Sequence, residues 1–233
     1  MTRNLQPSAL ITGASKGLGL ALARGLAADG WRLIIDARNS TALSAAAAQL
    51  PSTVAVRGDV KDAAHREQLR AAVGERLDLL VNNASELGSS PLPPLASYPL
   101  DALRTVYETN VFAPLALTQL LLPQLRAAGG AVINISSDAA VEAYPGWGGY
   151  GSAKAALDQV SAVLAAEEAE IRCYAVDPGD LRTDMHQAAF PGEDISDRPL
   201  PETVVPALLR LVELRPPSGR YRAAEFAATE VAR

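Results

Sequence analysis

The sequence is poor in the residues that build covalent staples and metal centres. Its 233 residues include one cysteine, Cys173, and two histidines, His65 and His186. A lone cysteine excludes an intramolecular disulfide, and this ligand set cannot assemble a Cys/His zinc site. No metal and a reducing, cytoplasmic setting are therefore expected. Lysine is almost as scarce: Lys16, Lys61 and Lys154 stand among 21 basic residues, the rest being arginine. Where an ammonium survives, its compact charge and movable pKa are a reason for it to be there. Excess positive charge is also lacking, because 26 acidic residues leave a formal charge of −5. That balance argues against nucleic acid or an anionic membrane as partner. The longest apolar stretch, Val111 to Leu125, is broken by Pro114, Thr118, Gln119, Pro123 and Gln124. It falls short of the ~20 residues of a spanning helix. The opening MTRNLQPSALITG has no apolar core or cleavage pattern, so no secretory leader is expected.

What is present is an alternation of short β-type runs with longer Ala/Leu-rich segments of helical spacing. This pattern predicts a doubly wound α/β fold, a parallel sheet of about seven strands with helices on both faces. Strands are expected at Ala9–Thr12, Arg32–Asp36, Thr53–Arg57, Leu77–Asn82, Ala131–Ser136, Arg172–Asp177 and Gly219–Arg222. Helices are expected at Gly17–Asp29, Thr41–Leu50, Ala63–Val73, Leu100–Leu125, Gly149–Ala169 and Glu202–Val212. With no composition break and no internal repeat, residues 1–233 read as one domain. Two segments lack periodicity, Glu86–Pro99 and His186–Pro201. Both follow strand ends, where open α/β sheets bind ligands, and residues 186–201 read as a substrate lid.

The first strand runs straight into TGASKGLG, Thr12–Gly19, and then into a helix, the context of a phosphate-binding loop. Gly13 permits the tight turn, while Gly17 and Gly19 are expected to let a pyrophosphate approach the helix N-terminus. At the end of the second strand stands Asp36-Ala37-Arg38. An acid here selects a ribose 2′-hydroxyl and an Arg accepts a 2′-phosphate. Adjacent strand residues face opposite ways, so only one of Asp36 and Ala37 faces the ribose. Lys16 offers a second cation beside Arg38, and the pair favours NADP(H) over NAD(H).

Tyr150 and Lys154 are four apart at the start of a helix and project from one face. An ammonium beside a phenol is expected to lower its pKa toward a range useful for proton transfer. Ser137 closes one strand and Asn82-Asn83-Ala84-Ser85 closes the preceding one, so both belong to the same crevice.

In this order the motifs resemble those of the short-chain dehydrogenase/reductase family over nearly the whole chain: Thr12–Gly19, Asp59-Val60, Asn82–Ser85, Asn110, Ser137, Tyr150–Lys154 and Pro178–Thr183. The resemblance implies a catalytic set of Asn110, Ser137, Tyr150 and Lys154, with Asn110 bending the long helix and anchoring a water. It implies cofactor contacts at Gly13, Ser15, Lys16, Gly17, Leu18, Gly19, Arg38, Asp59, Val60, Asn82, Ala84, Tyr150, Lys154, Pro178, Gly179, Leu181 and Thr183. It aligns the NAD-selecting acid with Ala37 and points to the NADPH-using branch of sepiapterin reductase and carbonyl reductases. The expected activity is hydride exchange between NADPH and a ketone or aldehyde. Its rivals are the same chemistry with NADH, and a catalytically silent NADP(H)-binding sensor or structural subunit. Substrate contacts are expected from Ser85, Asp138, Tyr144, Trp147, Met185 and His186, the last read as a surface residue and not a base. The partner is a small carbonyl or alcohol, and the family's helix pairing implies a homodimer or homotetramer.

Overall fold

A computed structural model describes residues 6–227. Residues 1–5, within the stretch read for a leader, and 228–233, within the expected 1–233 domain, lie outside the described residues.

In chain order the elements are β1 (Ser8–Ile11), α1 (Gly17–Ala28), β2 (Arg32–Ala37), α2 (Ser40–Ala47), β3 (Thr53–Arg57), α3 (Ala63–Val73) and β4 (Leu79–Asn82). There follow α4 (Leu100–Tyr107), α5 (Ala113–Ala128), β5 (Ala131–Ile135), α6 (Gly148–Glu167), β6 (Arg172–Asp177), α7 (Asp184–Ala189), α8 (Val205–Leu214) and β7 (Gly219–Arg222). The strands form one parallel sheet in the order β3-β2-β1-β4-β5-β6-β7. Central strands such as Leu79-Leu80-Val81 and Ala131-Val132-Ile133 are apolar on both sides because helices cover both faces. One face packs Leu22, Leu26 and Leu208 against Ile11 and Ile35. The other packs Leu69, Leu117, Leu121 and Leu125 against Leu10 and Leu80.

The connection from β1 turns toward β2 and that from β4 toward β5, so the chain reverses direction between β1 and β4. A ligand crevice opens at the carboxyl ends of strands at such a reversal. Here Thr12 and Asn83 clasp the two ends together. The Thr12 hydroxyl accepts the Asn83 and Ala84 amides, each at 3.0 Å, and the Asn83 side chain donates to the Thr12 carbonyl at 2.8 Å.

Two sequence expectations change. The predicted Leu100–Leu125 helix is α4 and α5 joined by a π-turn over Glu108–Phe112, giving a helical run of 29 residues with mean hydropathy 1.2. By length and composition this run is long enough to cross a membrane, so the argument from the shorter stretch Val111–Leu125 does not hold. Pro114 and Pro123 fail to end it, Pro114 because it sits in the first turn of α5. Leu117, Leu121 and Leu125 instead recur every four residues and lie in the core beside the sheet. The segment expected to be an irregular lid, 186–201, opens on the last turn of α7, whose start is capped by the Thr183 hydroxyl accepting the His186 amide at 3.2 Å. That hydroxyl cap, not apolar periodicity, starts the helix.

Candidate active site

The carboxyl ends of the strands open into a cavity of about 940 Å³. The turn between β1 and α1 forms one wall. Gly13 has φ +66°, and a Cβ there would meet the Ala84 backbone at 2.9 Å; Gly17 has φ +57°. Both positions exclude ordinary side chains by conformation. Gly19 differs from the expectation: it is absent from the cavity wall, and a Cβ there would strike the Asn83 side chain at 2.5 Å and the Gly13 carbonyl at 2.8 Å. Its hydrogen permits helix-to-turn packing, not approach of a ligand. No side chain caps α1, so its first amides face the cavity free to bind an anion.

Asp36 and Arg38 separate as strand alternation requires. Asp36 is 1% exposed, accepting the Gly13 amide at 2.7 Å and meeting His65 Nε2 at 2.9 Å. Burial raises its pKa, with His65 and the Gly13 amide acting in the opposite direction. Both carboxylate oxygens are thus spent beneath the turn. Arg38 is open on the cavity wall, with Glu86 3.8 Å away. Lys16 does not join it. Its ammonium pairs instead with Asp184 at 2.6 Å, joining the glycine turn to the start of α7. The second arginine near Arg38 is Arg57, opposite Ala37 in the sheet and donating to the Arg38 carbonyl at 3.5 Å. Its place depends on strand register, which separates it from Arg38 by nineteen positions in the chain.

Asp59, Val60, Ala84, Ser85, Pro178, Gly179, Leu181 and Thr183 all line the cavity, as do Ser15 and Leu18. Asn82 does not. It is buried behind the wall, donating to the Asn134 side chain at 2.7 Å, and Asn134 donates in turn to Ser161 at 2.7 Å. This polar ladder joins β4, β5 and α6. Asn110 also lies behind the wall, in the π-turn. Its amide accepts the Glu86 N–H at 2.8 Å and donates to the Glu86 carbonyl at 2.9 Å, fixing the loop after β4. The bend is where it was expected, and the side chain is engaged with the Glu86 backbone and, through its oxygen, with the Ser85 hydroxyl at 3.2 Å.

Ser137, Tyr150 and Lys154 meet at the other end of the cavity. Tyr150 and Lys154 sit one turn apart on α6, with the ammonium 5.3 Å from the phenol ring centre. Lys154 is 2% exposed and donates to the Ile135 carbonyl at 2.7 Å. Burial lowers its pKa to about 8, against a smaller upward pull from Asp158. The expected depression of Tyr150 is not found. Burial pushes the phenol above its ordinary value, Asp138 and Asp177 push the same way, and only Ser85 opposes them. Desolvation disfavours the phenolate and is the largest influence on this group.

Ser137 donates its hydroxyl to Asp138 at 2.9 Å. Tyr144 is 40% exposed, not core, and its hydroxyl bridges Asp138 at 3.1 Å and Glu142 at 2.8 Å. Trp147 stands edge-on to Tyr150 at 5.8 Å and against Phe190 at 6.0 Å. Met185 and His186 complete this wall. His186 is not a surface residue as expected: its side chain is 11% exposed, packs 5.0 Å from Phe190, and leaves Nε2 without a hydrogen-bond partner.

Known proteins give the arrangement a lineage. The family model for short chain dehydrogenase matches residues 7–194. A serine 3-dehydrogenase of Agrobacterium fabrum is 36% identical over 183 residues, covering 76% of this chain and 72% of that one. A sepiapterin reductase of Meriones unguiculatus is 36% identical over 199 residues, covering 77% and 76%. A short chain dehydrogenase of Shigella flexneri, solved in complex with NADP, superposes with a TM-score of 0.86 at 29% identity, covering 94% of this chain and 97% of that one. The chain belongs to the short-chain dehydrogenase family of oxidoreductases, a membership that its glycine turn, its strand-end crevice and its Tyr150–Lys154 pair had each foreshadowed.

Proposed function

We propose that this protein exchanges a hydride between NADP(H) and a small ketone or aldehyde, with Tyr150 as the general acid and base. The observation that carries the proposal is one cavity with an anion-binding helix start and Arg38 at one end, and Ser137, Tyr150 and Lys154 at the other. The free amides of α1 would hold the pyrophosphate, Arg38 the 2′-phosphate, and Asp59 and Val60 would border the adenine. Pro178, Gly179, Leu181 and Thr183 would border the nicotinamide. When bound, NADPH supplies the hydride that reaches the carbonyl carbon.

The protein's own part is protonation and placement. Burial keeps Tyr150 protonated, which suits it to give a proton to the oxygen of a carbonyl under reduction. Lys154 stabilises the phenolate that remains, and Ser137 orients the oxygen once its hydroxyl turns from Asp138. Oxidation of the alcohol runs the same path backward. The silent-sensor reading is weaker because all three of these side chains reach the cavity. The NADH reading is weaker because Asp36 is committed to Gly13 and His65.

The relatives' names set a range of carbonyl and alcohol chemistry without choosing within it. Met185, just before the 186–201 segment, and His186 and Phe190 within it line the cavity, which supports reading that segment as a lid over the substrate. Leu100 and Phe112 on the α4–α5 run and Val163 on α6 are exposed apolar side chains on the two helices that would pair, which supports a symmetric assembly. Sedimentation at micromolar concentration is expected to give a dimer or tetramer; a monomer counts against that pairing.

Three further outcomes test the chemistry. Tyr150→Phe should lower kcat by about 10²- to 10⁴-fold while NADPH still binds, as loss of a general acid requires; undiminished turnover across a carbonyl panel rejects the assignment. Arg38→Leu should weaken NADPH about 10- to 100-fold, the worth of a charged hydrogen bond, and leave NADH nearly unchanged in a fluorescence titration. Equal weakening of both cofactors removes the phosphate role. For carbonyl reduction, kcat/KM should be level below pH about 8 and fall above it as Lys154 loses its proton. A profile level through pH 9.5, roughly 1.5 units past that value, contradicts it.

A further inference from the structure

Arg220 lies on the edge strand β7, outside the cavity wall, and no step above uses it. Its guanidinium is nevertheless the meeting point of three elements that carry the site. Nε donates to Asp158 at 2.9 Å, and Asp158 lies on α6 one turn beyond Lys154. Nη2 donates to the backbone carbonyl of Ser137 at 3.0 Å. The same nitrogen lies 3.8 Å from Asp177, whose other oxygen accepts the Gly179 amide at 2.9 Å and so shapes the turn after β6. The side chain is 29% exposed, and its two acidic partners only 14% and 4%.

We propose that Arg220 is the positioning residue of the active site, a planar fork that fixes Ser137, the Lys154 helix and the β6 turn relative to one another. The inference rests on the function proposed above for Ser137, Tyr150 and Lys154. Two directed hydrogen bonds and a third, looser ion pair from one rigid group suit a guanidinium, whereas an ammonium would not present its donors in this planar fork. The elements it joins come from separate parts of the chain, around residues 137, 158 and 177, and the sheet alone fixes only two of them as strands. Beyond its hydrogen bond to Ile135 and its approach to the Tyr150 ring, the Lys154 ammonium has no other hydrogen bond among the described residues.

Charge gives the bridge a second effect. Asp158 raises the pKa of Lys154, and Asp177 raises that of Tyr150. The groups facing this region are Tyr150, Lys154 and Asp158 from α6, Asp138 after β5, Asp177 from β6, and Arg220 and Arg222 from β7. Arg222 stands 3.7 Å from Asp177 but is 65% exposed, so it screens Asp177 alone and weakly. Without Arg220, Asp158 is left as a mostly buried carboxylate with no hydrogen-bonded cation, Lys154 being the ammonium it still acts on, and its Oδ1 already has no partner. It then favours the protonated form of Lys154 more strongly.

The test combines kinetics with a titration that needs no turnover. With only three lysines in the chain, lysine labelled with ¹³C at Cε gives a spectrum simple enough to follow Lys154 directly, assigned by its loss in Lys154→Arg. In Arg220→Met the expected results are a fall in kcat of about 10²-fold, as for a misplacement of roughly 1 Å, with NADPH affinity retained. The Lys154 midpoint and the falling limb of the kcat/KM profile should both move to higher pH. Arg220→Lys should return the midpoint toward the wild-type value while kcat stays low, because charge is restored and the fork is not. Wild-type kcat and midpoint in Arg220→Met overturn the inference, as does full recovery of kcat in Arg220→Lys. Should Arg220→Met not fold, Arg220→Lys and Asp158→Asn decide it: reduced kcat in the first and a lowered Lys154 midpoint in the second are expected, and wild-type values in both reject the bridge. An inactive wild-type protein refutes the proposed function instead, and the Lys154 titration then still reads whether Arg220 governs that ammonium.

Discussion

The clasp between Thr12 and the Asn83-Ala84 backbone is the constraint on which the crevice depends. One hydroxyl accepts two consecutive amides from the end of β4, and the Asn83 side chain returns a hydrogen bond to the end of β1. A parallel sheet leaves its strand ends without hairpins to tie them, so neighbouring ends must be joined by side chains. Because the chain turns opposite ways after β1 and β4, this pair of ends is also where the cavity opens. Gly13 fits against Ala84 only because the clasp holds the two turns together, and Gly19 fits beneath Asn83 for the same reason. Removing any one of these contacts moves the floor on which a dinucleotide would lie.

Around that floor the buried polar groups divide into those behind the wall and those that line the cavity. Asp36 meets His65 through Nε2, leaving Nδ1 without a partner, and Asn82, Asn134 and Ser161 hydrogen-bond in series behind the wall. Pairing matters for buried groups of this kind, since each left alone costs about 1–3 kcal/mol. Tyr150 and Lys154 are buried too, yet burial here acts on proton affinity. It drives both toward their neutral forms, raising the phenol and lowering the ammonium to about 8. A protonated phenol and a cation of lowered pKa are thereby placed side by side.

Much of the fold was legible because periodicity survives burial. The seven strands were recognisable as short β-type runs between helical segments, and several bounds agree to the residue, as at Thr53–Arg57, Arg172–Asp177 and Gly219–Arg222. The glycine turn and the Tyr150–Lys154 spacing are local patterns and were equally readable. Failures occurred where a residue's role depends on what lies across the cavity. Lys16 looked like a partner for Arg38, but Asp184, distant in sequence, takes its charge. Asn82 looked like a cofactor contact, but its side chain points to β5 and α6. Tyr150 was expected to be acidified by its neighbour, and burial reversed the sign.

The sequence by itself determined the class of fold, the glycine turn and the Tyr150–Lys154 juxtaposition, because each is written in spacing along one strand, turn or helix. Only the tertiary structure decided which oxygens and cations remain free. Asp36 is used up beneath the turn, Arg38 is left open, and Arg220 reaches three elements at once. The physical reason is that hydrogen bonds and ion pairs act over about 3 Å and are fixed by sheet order and helix packing, which bring residues 16 and 184, or 137 and 220, within that range although the chain between them carries no mark of it.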